Sequence, residues 1–463
     1  MSDLYRNPFL DGPLPAIFAR TALPIIFVMS MNGLLTVADA LFLGHYVGET
    51  ALAAVTVVFP LYMLIMAFAT IVASGMASLL ARHLGGQRLD AAQDVFASAH
   101  WLAVTAGAVL IALFVLFGRP VIALAAGEDD AIRLLATSYL RILVLFSPVF
   151  FVLSVNFDAL RSEGRVGFMA GASLLVSLGN IAFNYVLIAV LELGVAGSAY
   201  GTVLAQAVAL GIIVAYRMRA RTVLRPAAFL LRITTSEWRG ILALGASQGL
   251  NFIGVALGSS AILAALQRVG TPDYAATVTA YGIVTRVLTF AILPVLGLSQ
   301  AMQTVTGNNH GARQWRRKNA SLGLGLGAAL VLCAMVQIAA TFFAHAIGAA
   351  FVDDPQVVAE VAAIMPVMVT LYVLSGPHIM LAGHFQAIGD APRAAILGLS
   401  KPYLFAIPLT FALPLLFGAE AIWWTTPTAE AMLAILTGLV LLQTARRGNL
   451  RWGLVDRSRE GSA

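Results

Sequence analysis

Apolar residues run through this chain in long blocks separated by short polar breaks, with no sign of strict alternation. Twelve blocks are long enough to cross about 30 Å of hydrocarbon. They fall near 16–46, 51–83, 96–118, 131–157, 167–191, 195–217, 238–267, 274–306, 319–348, 358–387, 394–417 and 421–445. A segment in lipid must satisfy its own backbone hydrogen bonds, and these runs are too long for barrel strands, so each block predicts a transmembrane helix. The first block follows a polar start, Met1 to Pro15, and exceeds twenty residues, so it reads as a retained helix and not a cleaved signal.

Composition agrees and narrows the class. Hydrophobic residues fill 60% of the 463 positions and charged residues 11%. A water-soluble globule of this size has too little interior for that much apolar surface, so lipid covers the rest. The one cysteine, Cys333, lies in an apolar run and excludes both a disulfide framework and a zinc cluster. The net charge of +6 is not a nucleic-acid signal, because the basic residues gather between the blocks. Of 28 basic residues, 22 fall on one side of the predicted array, the densest group being Arg217, Arg219, Arg221, Arg225, Arg232 and Arg239. The opposite loops hold Arg119, Arg133 and Arg268 beside acidic pieces such as Glu128-Asp129-Asp130 and Asp353-Asp354. The positive side is expected to face the cytoplasm, which puts both termini inside a cytoplasmic membrane.

The two halves repeat weakly. Val47-Gly48 with Ala53-Ala54 recurs as Val269-Gly270 with Ala275-Ala276, 222 residues on. Gly86-Gln87-Arg88 matches Gly311-Ala312-Arg313 at an offset of 225, and Asn156-Phe157-Asp158-Ala159 matches His384-Phe385-Gln386-Ala387 at 228. Six helices per repeat give both halves the same orientation. The expected fold is therefore all-α and integral to the membrane, with twelve helices in two pseudo-symmetric six-helix lobes around a central cleft. The lobes span 1–217 and 240–445, joined by a connector at 218–239 and followed by a basic tail at 446–463. Two like lobes about a gap is the architecture of alternating access, hence of a secondary transporter.

Asp39 is the most informative residue. It sits inside the first block, and a carboxylate at that depth costs several kcal/mol unless neutralised, paired or wetted. It reads as an ion-coupling group, with a structural bridge between helices as the alternative. Pro24, fifteen residues earlier, removes a backbone hydrogen bond and permits a bend, or simply marks an early turn. Asn180 and Asn184, four apart, share one helical face and want polar partners, of which Asp39 is a candidate; packing glue is the plainer reading. Thr202 and Gln206 repeat the pattern, and Thr36 adds a polar group near Asp39. Asp158 and Glu163 in the first half and Asp390, Glu420 and Glu430 in the second are placed at solvated span ends, so no acid is expected deep in a span of the second half. The cleft-polar candidates there are Gln248, Asn251, Arg286, Gln300 and His378, with Arg286 the one deep basic residue. No phosphate-binding loop or metal-ligand cluster is present in the sequence, so the energy is expected from an ion gradient, worth about 2.3 kcal/mol per charge per 100 mV, with no cofactor.

From about residue 14 to 445 the chain resembles the multidrug and toxic compound extrusion (MATE) family. The resemblance rests on Ala38-Asp39-Ala40-Leu41-Phe42-Leu43-Gly44 running into Ala53-Ala54-Val55, on Gly297-Leu298-Ser299-Gln300-Ala301-Met302-Gln303 with Gly307 and Asn308, and on Asn180-Ile181-Ala182-Phe183-Asn184. It implies antiport: protons or sodium enter while amphipathic, often cationic compounds leave. By the same resemblance Asp39 is the coupling carboxylate, Pro24 the bend, and Asn180 with Asn184 the polar face that helps hold the ion. Lacking second-lobe carboxylates, the chain resembles the DinF-like subgroup, and it departs from many members in having Asn184 where they carry Asp. The implied partners are small amphipathic solutes and the bilayer, not nucleic acid, and the implied state is a monomer. A lipid-linked-sugar flippase of the same superfamily is the rival reading. Its cleft should be richly cationic, which the sparse deep basic residues disfavour. A membrane-embedded transferase is more distant still, because the loops are short.

Overall fold

The computed structural model describes residues 6–127, 129–219, 222–225, 234–269, 273–448 and 450–456. They are almost entirely helical. The first half holds α1 (Leu14–Tyr46), α2 (Glu49–Gly85), α3 (Leu89–Ala126), α4 (Asp130–Leu145), α5 (Ser147–Ser162), α6 (Val166–Asn184) and α7 (Gly194–Arg219). The second holds α8 (Trp238–Val269), α9 (Tyr274–Gly311), α10 (Trp315–Phe342), α11 (Ala344–Phe351), α12 (Pro355–Met368), α13 (Tyr372–Ile388), α14 (Ala391–Leu399), α15 (Ile407–Phe417) and α16 (Thr425–Gly448). Two wider, π-helical stretches interrupt the pattern, Tyr185–Val190 after α6 and Ser400–Ala406 between α14 and α15. A minimal antiparallel pair, Leu450–Arg451 with Val455–Asp456, follows α16.

Ten helical stretches are long and apolar enough to cross a membrane, and two bent pairs raise the number to twelve. The bent pairs, α4 with α5 and α12 with α13, each turn by 50° where the sequence predicts one continuous helix. The causes are local. Pro148 stands in the first turn of α5, where it has no N–H to continue the helix from α4. Between α12 and α13, Leu371 takes a left-handed backbone (φ 69°), which no helix interior tolerates. The predicted helix at 319–348 likewise ends at Phe342, and the short α11 follows it.

The repeat is far clearer in the backbone than in the residues. Glu49 and Tyr274, Asp130 and Pro355, Ser147 and Tyr372, Val166 and Ala391 are equivalent helix starts, each 225 apart. The caps repeat as well: Asp129 accepts hydrogen bonds from the N–H groups of Ala131 and Ile132 at 2.9 and 3.0 Å, and Asp354 accepts one from Gln356 at 2.9 Å. Acids read from the sequence as an outer-loop charge signal are thus also helix N-caps.

The chain packs as two compact units, Met1–Asp11 with Phe27–Ile253, and Gly12–Ile26 with Gly254–Ala463. The changeovers fall inside α1 and inside α8, so the opening helix of each half contributes to both units. In the first unit Met76, Leu80 and Leu84 of α2 pack with Phe96 of α3 and with Phe151 and Val155 of α5. There α2 and α8 cross at touching distance: a methyl on Gly75 would lie 2.0 Å from the Ile241 carbonyl oxygen, and one on Gly245 only 1.8 Å from that of Ile71. Small residues permit this contact, which lipid alone does not drive. Elsewhere large apolar side chains point outward, Val115, Leu116, Phe117 and Leu124 on α3 and Leu415, Leu416 and Phe417 on α15 among them. Such a surface is stable only against acyl chains.

Candidate functional site

In the first unit, α1, α6 and α7 bring four predicted polar residues into one relay. The side-chain amide of Asn184 donates to Asp39 Oδ1 at 2.7 Å and to Asn180 Oδ1 at 3.1 Å. Asn180 donates in turn to the Thr202 hydroxyl at 2.9 Å, which donates to the Ser198 carbonyl at 3.2 Å. Asn180 and Asn184 are almost wholly buried. The four-residue spacing stacks the two asparagines on one face of α6, and that face meets α7 closely because residue 201 is glycine: a methyl there would sit 2.1 Å from Asn184 Oδ1. Directly after Asn184 the helix widens into its π-helical stretch, a departure common at functional sites. Ser177 of α6 also donates to Asn32 Oδ1 at 3.3 Å, a second polar tie to α1 that the sequence reading passed over.

The chemistry of this relay is that of a carboxylate held by neutral amides. Among the described residues no lysine or arginine pairs with Asp39. Asn184 Oδ1 is buried with no hydrogen-bond partner among them. A carboxylate oxygen next to an unused amide oxygen is a donor set suited to a proton or a small hard cation. No group of three or more His, Cys, Asp or Glu side chains among the described residues is arranged to hold a metal.

Other predicted residues lie apart from the relay. Pro24 is inside α1, near the change of unit between Ile26 and Phe27. The Thr36 side chain lies outside the described residues. Gln206 is half-buried one turn beyond Thr202 and does not join the relay. Gln248, Asn251 and Gln300 are half-buried. Arg286, expected to face the cleft or a partner, is exposed on α9 and makes no ion pair among the described residues.

Two expectations about acids are overturned. Glu430, read as a solvated span-end residue, is 1% exposed on α16. Its carboxylate accepts from the Ser375 hydroxyl at 2.8 Å, meets His378 Nδ1 at 2.6 Å and pairs with the Lys401 ammonium. The second half therefore does carry a deep carboxylate, and Arg286 is not its one deep basic residue. The absence of such a carboxylate was the ground for the subgroup resemblance, and that ground does not hold. The signal was available: Lys401 is one of only two lysines in the chain and falls mid-block. Glu430 lies about eleven residues into the span Ala419–Arg446, not at its end.

Glu163 is the other buried acid. It pairs with Arg217 at 2.8 Å and accepts from the Leu224 N–H at 3.2 Å, while Arg217 also donates to Asn156 Oδ1 at 3.1 Å and to the Leu224 carbonyl at 3.3 Å. Burial pushes its carboxyl upward and the guanidinium opposes that. Beside it, Gln93 pairs in both directions with the backbone of Arg225, at 2.9 and 3.2 Å. These contacts tie the start of the connector to the helix ends. Asp158 pairs with Arg161 at 3.2 Å.

A family model described as MatE matches residues 24–186 and 241–412, the greater part of both repeats. The chain belongs to the MatE family. Its relatives include an "FAD transporter" of Shewanella oneidensis, 25% identical over 440 residues that cover 93% of this chain and 95% of that one. They also include the "Multidrug export protein MepA" of Staphylococcus aureus, 21% identical with 95% and 96% covered. Among solved structures, an outward-facing multidrug resistance MATE family transporter superposes with a TM-score of 0.84, at 21% identity and with 94% and 96% covered. As a MatE member the chain is a multi-pass membrane transporter and not an enzyme.

Proposed function

We propose that the protein exports amphipathic, often cationic solutes across the cytoplasmic membrane, with protons or sodium ions entering in exchange, and that both termini face the cytoplasm. The observation that carries this reading is the relay ending on Asp39: a carboxylate inside α1 whose hydrogen-bond partner among the described residues is an uncharged amide. In low dielectric such a group is stable as an anion only with a counter-ion, and it takes a proton or a cation when one arrives. Binding would neutralise Asp39 and change its bond to Asn184, shifting α1 against α6. An ion drives transport only if it binds one state better than the other, and a charge change in this relay supplies that difference. Export of drug-like compounds is what the name of the staphylococcal relative says of that protein. Orientation is supported by the excess of basic residues on one side of the spans.

The test is counterflow in proteoliposomes with proton and sodium gradients imposed separately, against a panel of organic cations. Asp39→Asn is expected to lower gradient-driven efflux by about tenfold or more, a step of 1.4 kcal/mol, while the protein still binds substrate. Undiminished efflux in a well-folded variant removes Asp39 from the mechanism.

A further inference from the structure

The second unit holds a polar site that the coupling reading does not use. Tyr372, Ser375 and His378 succeed one another at three-residue intervals on α13, and Glu430 of α16 and Lys401 of the π-helical stretch close on them. Glu430 is fixed: its side chain is 2% exposed and three donors hold it. Lys401 is different, with 32% of its side chain exposed. Its ammonium lies within reach of both Glu430 and the Ser375 hydroxyl, the latter at 3.4 Å. The Tyr372 hydroxyl, on a residue more than nine-tenths buried, has no hydrogen-bond partner among the described residues and is within electrostatic reach of Glu430.

Depth limits what can reach this site. Lys401 lies about ten residues into the span Ala391–Phe417 and Glu430 about eleven into Ala419–Arg446. At 1.5 Å per residue both sit about 15 Å from the span ends, out of range of lipid headgroups. A lysine side chain left partly open at that depth is not stable against acyl chains, so its open side meets water or a solute. The asymmetry of exposure then fixes the sign of the ligand. An arriving cation cannot reach the enclosed carboxylate, whereas an arriving anion meets the lysine first. A long, flexible stem lets Lys401 turn from one carboxylate to another.

We propose that Lys401 binds an anionic group, carboxylate or phosphate, on the transported solute, and that Glu430 is the resident counter-ion it leaves to do so. The inference rests on the transporter reading and extends it from purely cationic cargo to zwitterionic and anionic cargo. Ser375 and His378 remain on Glu430 when the lysine turns away, and the spare Tyr372 hydroxyl supplies a further donor at the site.

The test uses matched probes on the full-length protein in nanodiscs, without any gradient. Rhodamine B carries a free carboxylate that its ethyl ester lacks; 4-methylumbelliferyl phosphate against 4-methylumbelliferone does the same for phosphate. Lys401→Gln is expected to weaken binding of the acid member of at least one pair about tenfold while leaving the neutralised member within twofold. Glu430→Gln, which frees the lysine, is expected to act in the opposite direction and tighten the acid. Because Lys401→Gln leaves a buried carboxylate short of a partner, the double variant Lys401→Gln/Glu430→Gln provides a second, charge-balanced arm, and it should fold and still show no preference for the acid. Equal losses for both members of each pair, or weakening of the acid by Glu430→Gln as well, would mean that the pair is structural and would overturn the proposal, as would wild-type protein that binds neither acid. Failure of the coupling reading shows separately, as efflux indifferent to Asp39→Asn, and leaves these binding ratios readable.

Discussion

Replacing Gly201 by alanine tests whether the relay depends on how closely α7 approaches α6. The added methyl would lie 2.1 Å from Asn184 Oδ1 and 3.2 Å from both its side-chain carbonyl carbon and its backbone nitrogen. Ordinary carbon–oxygen contact needs more than 3 Å, so the amide must retreat by about 1 Å. Its bond to Asp39 is 2.7 Å long and its bond to Asn180 is 3.1 Å, and a displacement of that size takes both beyond hydrogen-bonding distance. A hydrogen bond to a charged group contributes about 1.5–3 kcal/mol. If that bond sets the affinity of Asp39 for the coupling ion, efflux at limiting gradient falls by roughly 10- to 150-fold. Gly211, also on α7, is the internal control: a methyl there meets nothing within 4 Å, and Gly211→Ala should be neutral or stabilise the helix by up to about 1 kcal/mol. The assay is ion-gradient-driven efflux in proteoliposomes at matched incorporation, with thermal melting of both variants alongside. Equal efflux from Gly201→Ala and Gly211→Ala would refute the reasoning, because the amide position would then have no bearing on coupling.

Two further predictions concern stability. Arg217→Met leaves Glu163 charged and enclosed; it should cost about 3–5 kcal/mol, read as lower melting temperature and yield, and Arg217→Met/Glu163→Gln should recover most of it. Gly245→Ala should cost about 1–3 kcal/mol by forcing α8 from the Ile71 carbonyl, while Gly258→Ala on the same helix, with open space around it, leaves melting unchanged.

Much of this architecture is legible in the sequence because the bilayer imposes it. Lipid demands uninterrupted apolar length, so the twelve blocks and their short breaks read directly as spans. The Asp39, Asn180, Asn184 and Thr202 grouping was equally accessible: the helical period places both amides on one face, and a carboxylate in an apolar run needs polar company. What pattern reading does not capture is geometry set by backbone detail. The 50° bends depend on one proline at a helix start and one leucine in a left-handed conformation, and mean hydropathy registers neither. The Ser375, His378, Lys401 and Glu430 grouping escaped because its members come from three separate helical segments with no common spacing. Only tertiary packing shows that a lysine and a glutamate 29 residues apart neutralise each other.

The repeat duplicates the scaffold without duplicating its chemistry. Helix starts recur at 225 residues, yet the positions 225 beyond Asp39, Asn180 and Asn184 are Ala264, Phe405 and Leu409, none of them polar. Asp39, half-buried in the first unit, and Glu430, enclosed in the second, differ instead in what balances the charge. Glu430 has a lysine within the same unit, so its group is neutral whatever the ion gradient does. Asp39 has amides and a hydroxyl chain, which orient it but add no charge. An anion in low dielectric without an internal counter-ion must draw one from outside, and its occupancy then follows the concentration of that ion. Of the two, only the arrangement at Asp39 answers to the concentration of an outside ion. The proposed exchange therefore assigns coupling to the Asp39 relay, and the proposal for Lys401 leaves the self-balanced site to discriminate among solutes by charge.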